Sequence, residues 1–308
     1  MDKILLIGLG SIGYRYFQAI IKIPSKKKLY IFDINKKVSK KIIIYKDKNI
    51  IFTNNFDDLP SKVDLVILST TTNGRAKLLK KLTKKTIFKY IIIEKPLAQS
   101  QNELLKLNNL LKNKISWVNT DRRSLKIYRD VKKILNLSKQ IKMKIIGNEW
   151  GICCNSLHFI DLFNYLCNRQ IKSIHEKKKF NWVMSKRKNF YELENGTLNI
   201  EYDQHLLQLV STKGKKSNLK ITIFNNSKKL IVDENSNLMS LKYNKKNKYY
   251  NNSFTSVKMT KIISKILKNG SCTLPSYHNS SKLYEPLIIF LLQKWKEKNK
   301  FAKFVPIT

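Results

Sequence analysis

The sequence predicts an α/β chain of two domains: a parallel sheet over residues 1–120, then an α+β domain over residues 121–308 with a large, mainly antiparallel sheet. Three observations lead there. An apolar run, Ile4-Leu5-Leu6-Ile7, ends in spaced glycines and is followed by a helical pattern, a second apolar run and an acid. Short apolar runs then alternate with amphipathic segments as far as Val118, the rhythm of parallel strands joined by helical crossovers. Beyond that, strand-rich segments with turn signals at Asn195-Gly196 and Asn225-Asn226-Ser227 take over.

The opening element is the most specific. In Gly8-Leu9-Gly10-Ser11-Ile12-Gly13, Gly8 permits a tight turn off the strand, Gly10 lets backbone approach a diphosphate, and Gly13 lets the new helix pack on the sheet. Ser11 to Ile23 reads as that helix, with Ile12, Phe17, Ile20, Ile21 and Ile23 apolar and Pro24 ending it. Its N-terminus, with free N–H groups and a favourable dipole, suits phosphate. Leu29 to Phe32 is the second strand, and Asp33 lies twenty positions past Gly13. A carboxylate there accepts hydrogen bonds from ribose hydroxyls and repels a 2′-phosphate, which favours NAD over NADP. Strand, glycines, helix, strand and acid in this order describe a Rossmann cofactor site, where a lone glycine triplet would not.

Ile50 to Phe52, Asp64 to Leu68, Tyr90 to Ile93 and Ile115 to Val118 are the further strands, with helices around Ala76 to Leu82 and over Gln101 to Leu111. Ser69-Thr70-Thr71-Thr72 puts small hydroxyls at the carboxyl edge where open α/β sheets bind ligands, so Thr70 and Thr71 join Gly8, Gly10, Ser11, Ile12, Gly13 and Asp33 as candidate cofactor residues. Glu94-Lys95-Pro96 follows the fifth strand directly. Pro96 restricts Lys95 toward an extended conformation, which mounts its amine stiffly. An amine partly desolvated at such an edge can exchange a proton with a substrate hydroxyl.

Composition narrows the classes. The absence of any eighteen-residue apolar stretch argues against a transmembrane helix. The first residues loosely resemble a signal peptide but lack a small-residue cleavage site, so the expectation is a soluble cytoplasmic protein. Cys153, Cys154, Cys167 and Cys272 form no CxxC pair, and a zinc site from Cys153, Cys154 and His158 has the wrong spacing, so no metal is expected. A net charge of +40 invites a nucleic-acid or anionic-membrane partner. Only seven of the 61 cations are arginine, however, and dedicated nucleic-acid readers lean on arginine. Abundant lysine, asparagine and isoleucine, spread along the chain, fit drift in an AT-rich coding sequence. The aromatic and basic run from Lys242 to Tyr250 is the best single-strand-binding patch, with a solvated loop as the alternative.

Gly8 to Gly13, Glu94-Lys95-Pro96 and His158-Phe159-Ile160-Asp161 together resemble the glucose-fructose oxidoreductase, inositol dehydrogenase and MocA (Gfo/Idh/MocA) family. Asn119-Thr120-Asp121-Arg122-Arg123 is similar to that family's crossover segment and Pro306-Ile307-Thr308 to a tail of some members. The resemblance implies a Rossmann domain followed by a domain with an open sheet, hydride transfer at a sugar or polyol carbon, and a homo-oligomer. It implies acid–base roles for Lys95 and His158, a place near the nicotinamide ribose for Glu94, and a substrate or orienting role for Arg123.

The residues around His158 are consistent with that role. Asn155 or Ser156 is a suitable N-cap, which would put His158 in the first helical turn, where the dipole keeps imidazole neutral. Leu157, Ile160, Phe163 and Leu166 share one face, while His158, Asp161 and Tyr165 share another, so Asp161 can orient the ring. Many family members carry an aspartate four residues before this histidine. This chain has Cys154 there, and Asn155 is the substitute candidate for positioning a hydroxyl.

In the second domain Lys142 to Ile146 is a strand, Ile221 to Phe224 pairs with Lys229 to Val232, residues 241–253 look loose, and Leu283 to Trp295 is a closing helix with Pro286 in its first turn. The functional expectation is an NAD-dependent oxidoreductase of a sugar, polyol or nucleotide sugar, with surface-glycan biosynthesis as its setting. The alternatives are an altered member holding NAD as a structural or sensory ligand, and a basic nucleic-acid or membrane-surface protein.

Overall fold

The computed structural model describes residues 1–45, 47–214, 218–234, 238–251 and 255–308. The chain begins with β1 (Asp2–Ile7), α1 (Ser11–Ile21), β2 (Lys27–Phe32), β3 (Ile50–Thr53), β4 (Lys62–Leu68), α2 (Arg75–Lys85), β5 (Ile87–Ile93), α3 (Gln101–Leu111) and β6 (Ile115–Val118). These six strands form one all-parallel sheet in the order β3-β2-β1-β4-β5-β6. Because crossovers cover both of its faces, the last four residues of β1, β4 and β5 are all buried.

There follow α4 (Lys126–Ile134), β7 (Ile141–Asn148), α5 (Ile152–Cys167), β8 (Ser173–Lys178), β9 (Asn181–Met184), β10 (Tyr191–Glu194), β11 (Gly196–Tyr202), β12 (His205–Thr212), β13 (Lys220–Asn225), β14 (Lys228–Asp233), β15 (Leu238–Tyr243) and β16 (Lys246–Asn251). Eight of these strands form a second sheet, β16-β15-β14-β13-β7-β12-β11-β8, in which β7 and β12 alone run parallel. Alternation is clean here: Ile141, Met143 and Ile145 of β7 are buried while Lys142, Lys144 and Ile146 are not. The helix α5 covers the buried face, with Phe163 edge-on to Tyr202 at 5.1 Å. The short strands β9 and β10 make a separate ribbon. The chain closes with α6 (Thr255–Asn269) and α7 (Tyr277–Lys296).

The chain divides into two compact units: one holds the parallel sheet and the stretch from α6 to His278, the other the mixed sheet, Ala98–Gln101 and Asn279–Thr308. Thus α6, which lies inside 121–308, packs with the first unit. Its Met259, Ile262, Ile263 and Ile266 join Tyr16, Phe17 and Ile20 of α1 in one buried cluster, and the Thr260 hydroxyl donates to the Ala19 carbonyl at 2.9 Å.

Several expectations are corrected. Asn195-Gly196 links β10 to β11, which lie in different sheets, so it closes no hairpin. The turn at 225–227 does close one, with Ile221 opposite Val232 and Phe224 opposite Lys229. Residues 241–251 are the ordered strand pair β15–β16, so the basic aromatic run is a hairpin and not a loose loop; residues 252 and 253 lie outside the described residues. Pro286 stands in the interior of α7, because the helix begins at Tyr277. Among the described residues no helix is long and apolar enough to cross a membrane.

Candidate functional site

The glycine loop has the geometry its sequence requires. Gly8 adopts φ +91°, a region that costs other residues strain, and a Cβ on Gly13 would lie 1.9 Å from the Gly8 carbonyl oxygen. At Gly10, the N-cap of α1, no side chain caps the helix and nothing lies within 4 Å of where a Cβ would be. Bare backbone therefore faces open space at the positive end of a helix, the arrangement a diphosphate needs. The Asp33 carboxylate is docked on the same loop: Oδ2 accepts from the Leu9 N–H at 2.7 Å and Oδ1 from the Asn35 N–H at 2.9 Å. These features fit the adenosine diphosphate half of a dinucleotide.

The strand ends beside the loop are tied to it. Ser69 Oγ donates to the carbonyls of Ile7 and Gly8 at 3.0 and 2.7 Å. Thr70 is half-buried, and its Oγ1 has no hydrogen-bond partner among the described residues, while Thr71 is exposed. Glu94 is buried at the end of β5 and its Oε1 accepts from Tyr16 Oη at 2.7 Å and Asn119 Nδ2 at 2.5 Å. Lys95 is half-buried and its peptide bond to Pro96 is cis.

Sequence reasoning missed Arg75, which organises this edge. Its side chain is 1% exposed. Nη1 donates to the carbonyls of Glu94 at 2.7 Å, Leu97 at 3.2 Å, and Pro96, while Nη2 donates to that of Thr70 at 2.6 Å. One guanidinium thus holds the backbone on both sides of Lys95 and pins it to the end of β4. The available signal was a solitary arginine on a helix whose other cations are all lysine.

In the second unit α5 carries the other candidates, and its start differs from expectation. The helix begins at Ile152 behind Gly151, φ +74°, not at Asn155 or Ser156. Glu192 of β10 accepts from the Cys153 N–H at 2.8 Å, placing a carboxylate at the positive helix end. Asn155 lies within the first turn, and its Nδ2 donates to the Trp150 carbonyl at 2.6 Å. His158, half-buried, is in the second turn, beyond the reach of the dipole effect expected to keep it neutral.

Asp161 is also placed differently. It is fully buried, and its two carboxylate oxygens accept from Arg123, at 2.9 Å from Nε and 2.7 Å from Nη2, so the acid orients Arg123. Burial pushes its carboxyl up to about 6, with Arg123 pulling the other way. The adjacent Arg122 pairs with Glu234 at 3.0 Å and stacks 4.3 Å from the Phe159 ring. The Cys153 thiol is raised well above its ordinary range by burial, with Glu192 adding to the shift. Among the described residues no group of three or more His, Cys, Asp or Glu side chains is arranged to hold a metal ion.

A profile for an oxidoreductase family with an NAD-binding Rossmann fold, GFO_IDH_MocA, matches residues 3–120. Over that stretch the chain is similar to the Gfo/Idh/MocA oxidoreductases. No curated protein matches the chain in sequence. Solved structures share the fold over nearly the whole length at low identity. A dehydrogenase (MviM) from Clostridium difficile is 17% identical, with 95% of this chain and 99% of that one covered and a TM-score of 0.71. The WlbA dehydrogenase from Chromobacterium violaceum, in complex with NADH and UDP-GlcNAcA, is 14% identical, with 96% and 94% covered and a TM-score of 0.71. The transcriptional regulator Gal80p from Kluyveromyces lactis is 13% identical, with 96% and 92% covered and a TM-score of 0.73. The same fold is therefore shared by dehydrogenases and a transcriptional regulator.

Proposed function

We propose that this protein is an NAD-dependent oxidoreductase acting at a hydroxyl-bearing carbon of a sugar, with nucleotide sugars the leading substrate class. The observation that carries the reading is the Lys95 segment, clamped by buried Arg75 at the carboxyl edge of the sheet that bears the glycine loop. Gly8, Gly10, Ser11, Ile12 and Gly13 would hold the diphosphate of NAD, Asp33 its adenine-side ribose, and Thr70, Thr71 and Glu94 the nicotinamide half. Bound NAD supplies a two-electron hydride acceptor. Lys95 and His158 then supply the nitrogen bases: in the oxidative direction the neutral form of one takes the substrate hydroxyl proton, and in reduction its protonated form returns it. The nucleotide-sugar assignment is supported by the WlbA dehydrogenase, whose complex contains UDP-GlcNAcA, and by the surplus of cations that would attract an anionic substrate.

A second reading is a member that holds NAD without turnover. Cys154 at the position where many relatives carry an aspartate favours it, as does a transcriptional regulator of the same fold. One experiment separates the two. Calorimetry with NAD and NADP is followed by a panel of nucleotide sugars and free sugars read at the NADH absorbance band. The enzyme reading expects NAD to bind more tightly than NADP, and a substrate whose kcat drops about 10²–10⁴-fold in Lys95→Ala with NAD affinity retained. NAD binding with no turnover of any sugar supports the second reading, and no heat with either coenzyme defeats both.

A further inference from the structure

We propose that the end of the second unit is an anchor for an anionic membrane surface, formed by the β9–β10 ribbon and the segment after α7. The inference is independent of the function proposed above. Three of the chain's exposed large apolar side chains belong to these segments: Met184 is 66%, Phe301 87% and Phe304 54% exposed. The ribbon's connection carries Lys186, Arg187 and Lys188, all exposed and with no acid among residues 184–190. Residues 296–304 carry four exposed lysines, Lys296, Lys298, Lys300 and Lys303, against Glu297 alone, whose carboxylate pairs with Lys294 at 2.7 Å. The ribbon's own acids, Glu192 and Glu194, are half-buried, and Glu192 accepts from the Cys153 N–H, so the exposed charge here is seven cations against Glu297.

The two segments form one surface. Tyr191 N–H donates to the Pro306 carbonyl at 2.8 Å, and Arg187 Nη1 to Thr308 Oγ1 at 3.1 Å. Beneath them Trp182 and Tyr191 pack on Trp295, with ring centroids 5.0 and 4.7 Å apart, and Lys298 lies 4.9 Å from the Tyr191 ring. Exposed phenylalanines among lysines, backed by a rigid aromatic layer, match what the interface of a bilayer takes up: rings at the boundary of headgroups and acyl chains, ammonium groups at lipid phosphates. A membrane is favoured over nucleic acid on two grounds. Six of the seven cations are lysine, suited to a diffuse surface potential and poorly suited to the bidentate grip of phosphate or base edges. The one arginine is held by Thr308.

Co-sedimentation of the full chain with vesicles tests this, using phosphatidylcholine alone and phosphatidylcholine mixed with phosphatidylglycerol at physiological ionic strength. The chain should bind the mixed vesicles and leave the neutral ones. Phe301→Ser with Phe304→Ser should weaken binding about tenfold or more. Lys186→Gln, Arg187→Gln and Lys188→Gln together should weaken it about a hundredfold, near fivefold per cation. Removing three exposed lysines of α2 by Lys80→Gln, Lys81→Gln and Lys84→Gln should change it little. Equal loss in both triple variants would reduce the effect to bulk charge and overturn the proposal, as would binding indifferent to the two phenylalanines. Single-stranded RNA that displaces the vesicles and depends on the same residues would overturn it in favour of nucleic acid. All substituted residues are exposed, and circular dichroism of each variant verifies folding.

Discussion

Arg75 exerts its influence through other residues. Four carbonyls of two loops converge on a guanidinium with almost no solvent contact, so its loss leaves several buried acceptors unmade, each costing about 1–3 kcal/mol. Arg75→Met should lower the unfolding free energy by about 3 kcal/mol in a denaturant titration. If the enzyme reading holds, kcat should fall on the order of 10–100-fold while NAD affinity stays nearly constant, because a displaced base costs rate before it costs binding. Asp161 makes a pH prediction. Its folded value near 6 exceeds the ordinary 3.8, so between about pH 4 and 6 the folded state binds more protons than the unfolded one. Stability from this group therefore rises as pH falls through that window, by at most about 1.4 kcal/mol per pH unit. The difference in unfolding free energy between wild type and Asp161→Asn should follow that slope and flatten above about pH 7.

At the scale of elements, α5 shows how a helix is started from outside its own sequence. Local pattern offers Asn155 and Ser156 as caps, yet the carboxylate that serves the first turn comes from Glu192, thirty-nine residues away on β10. Glu192→Gln should cost about 0.5–2 kcal/mol by removing charge from the helix N-terminus, read as a lowered midpoint in thermal unfolding. Enough capping is lost to register only if this contact forms, so an unchanged midpoint would count against it. Pro286 illustrates the same limit. Read locally, a proline favours the first turn of a helix, but Leu283, Tyr284, Leu287, Ile288 and Leu291 are all buried, and their packing carries α7 through the proline.

For the whole molecule, the decisive element is α6, which returns to cover α1 after the chain has built another sheet. A fragment of residues 1–120 would expose the surface that Met259, Ile262, Ile263 and Ile266 bury. At about 1.5–3 kcal/mol per buried side chain, that loss is comparable to the full stability of a domain. The fragment should aggregate or lose cooperative unfolding in a thermal melt, and linking the α6 segment to it should restore a soluble fold. The parallel sheet was legible because each of its strands is a local apolar run bounded by glycine, proline or polar residues, and the glycine loop because its backbone demands are met by residue type alone. The Asn225 hairpin was legible for the same reason. The residues that hold Glu94, fix the Lys95 segment and serve the start of α5 were not: Arg75, Tyr16, Asn119 and Glu192 act on groups distant in sequence, and a buried arginine or a capping glutamate has no periodicity to betray it. The chain's pattern alone therefore determined the strands of the parallel sheet and the cofactor loop, and its resemblance to a family named the candidate bases. Tertiary packing alone decided which charges pair, where α5 begins and which sheet α6 completes, because desolvation and hydrogen-bond partners depend on what lies nearby in space and not on what is adjacent along the backbone.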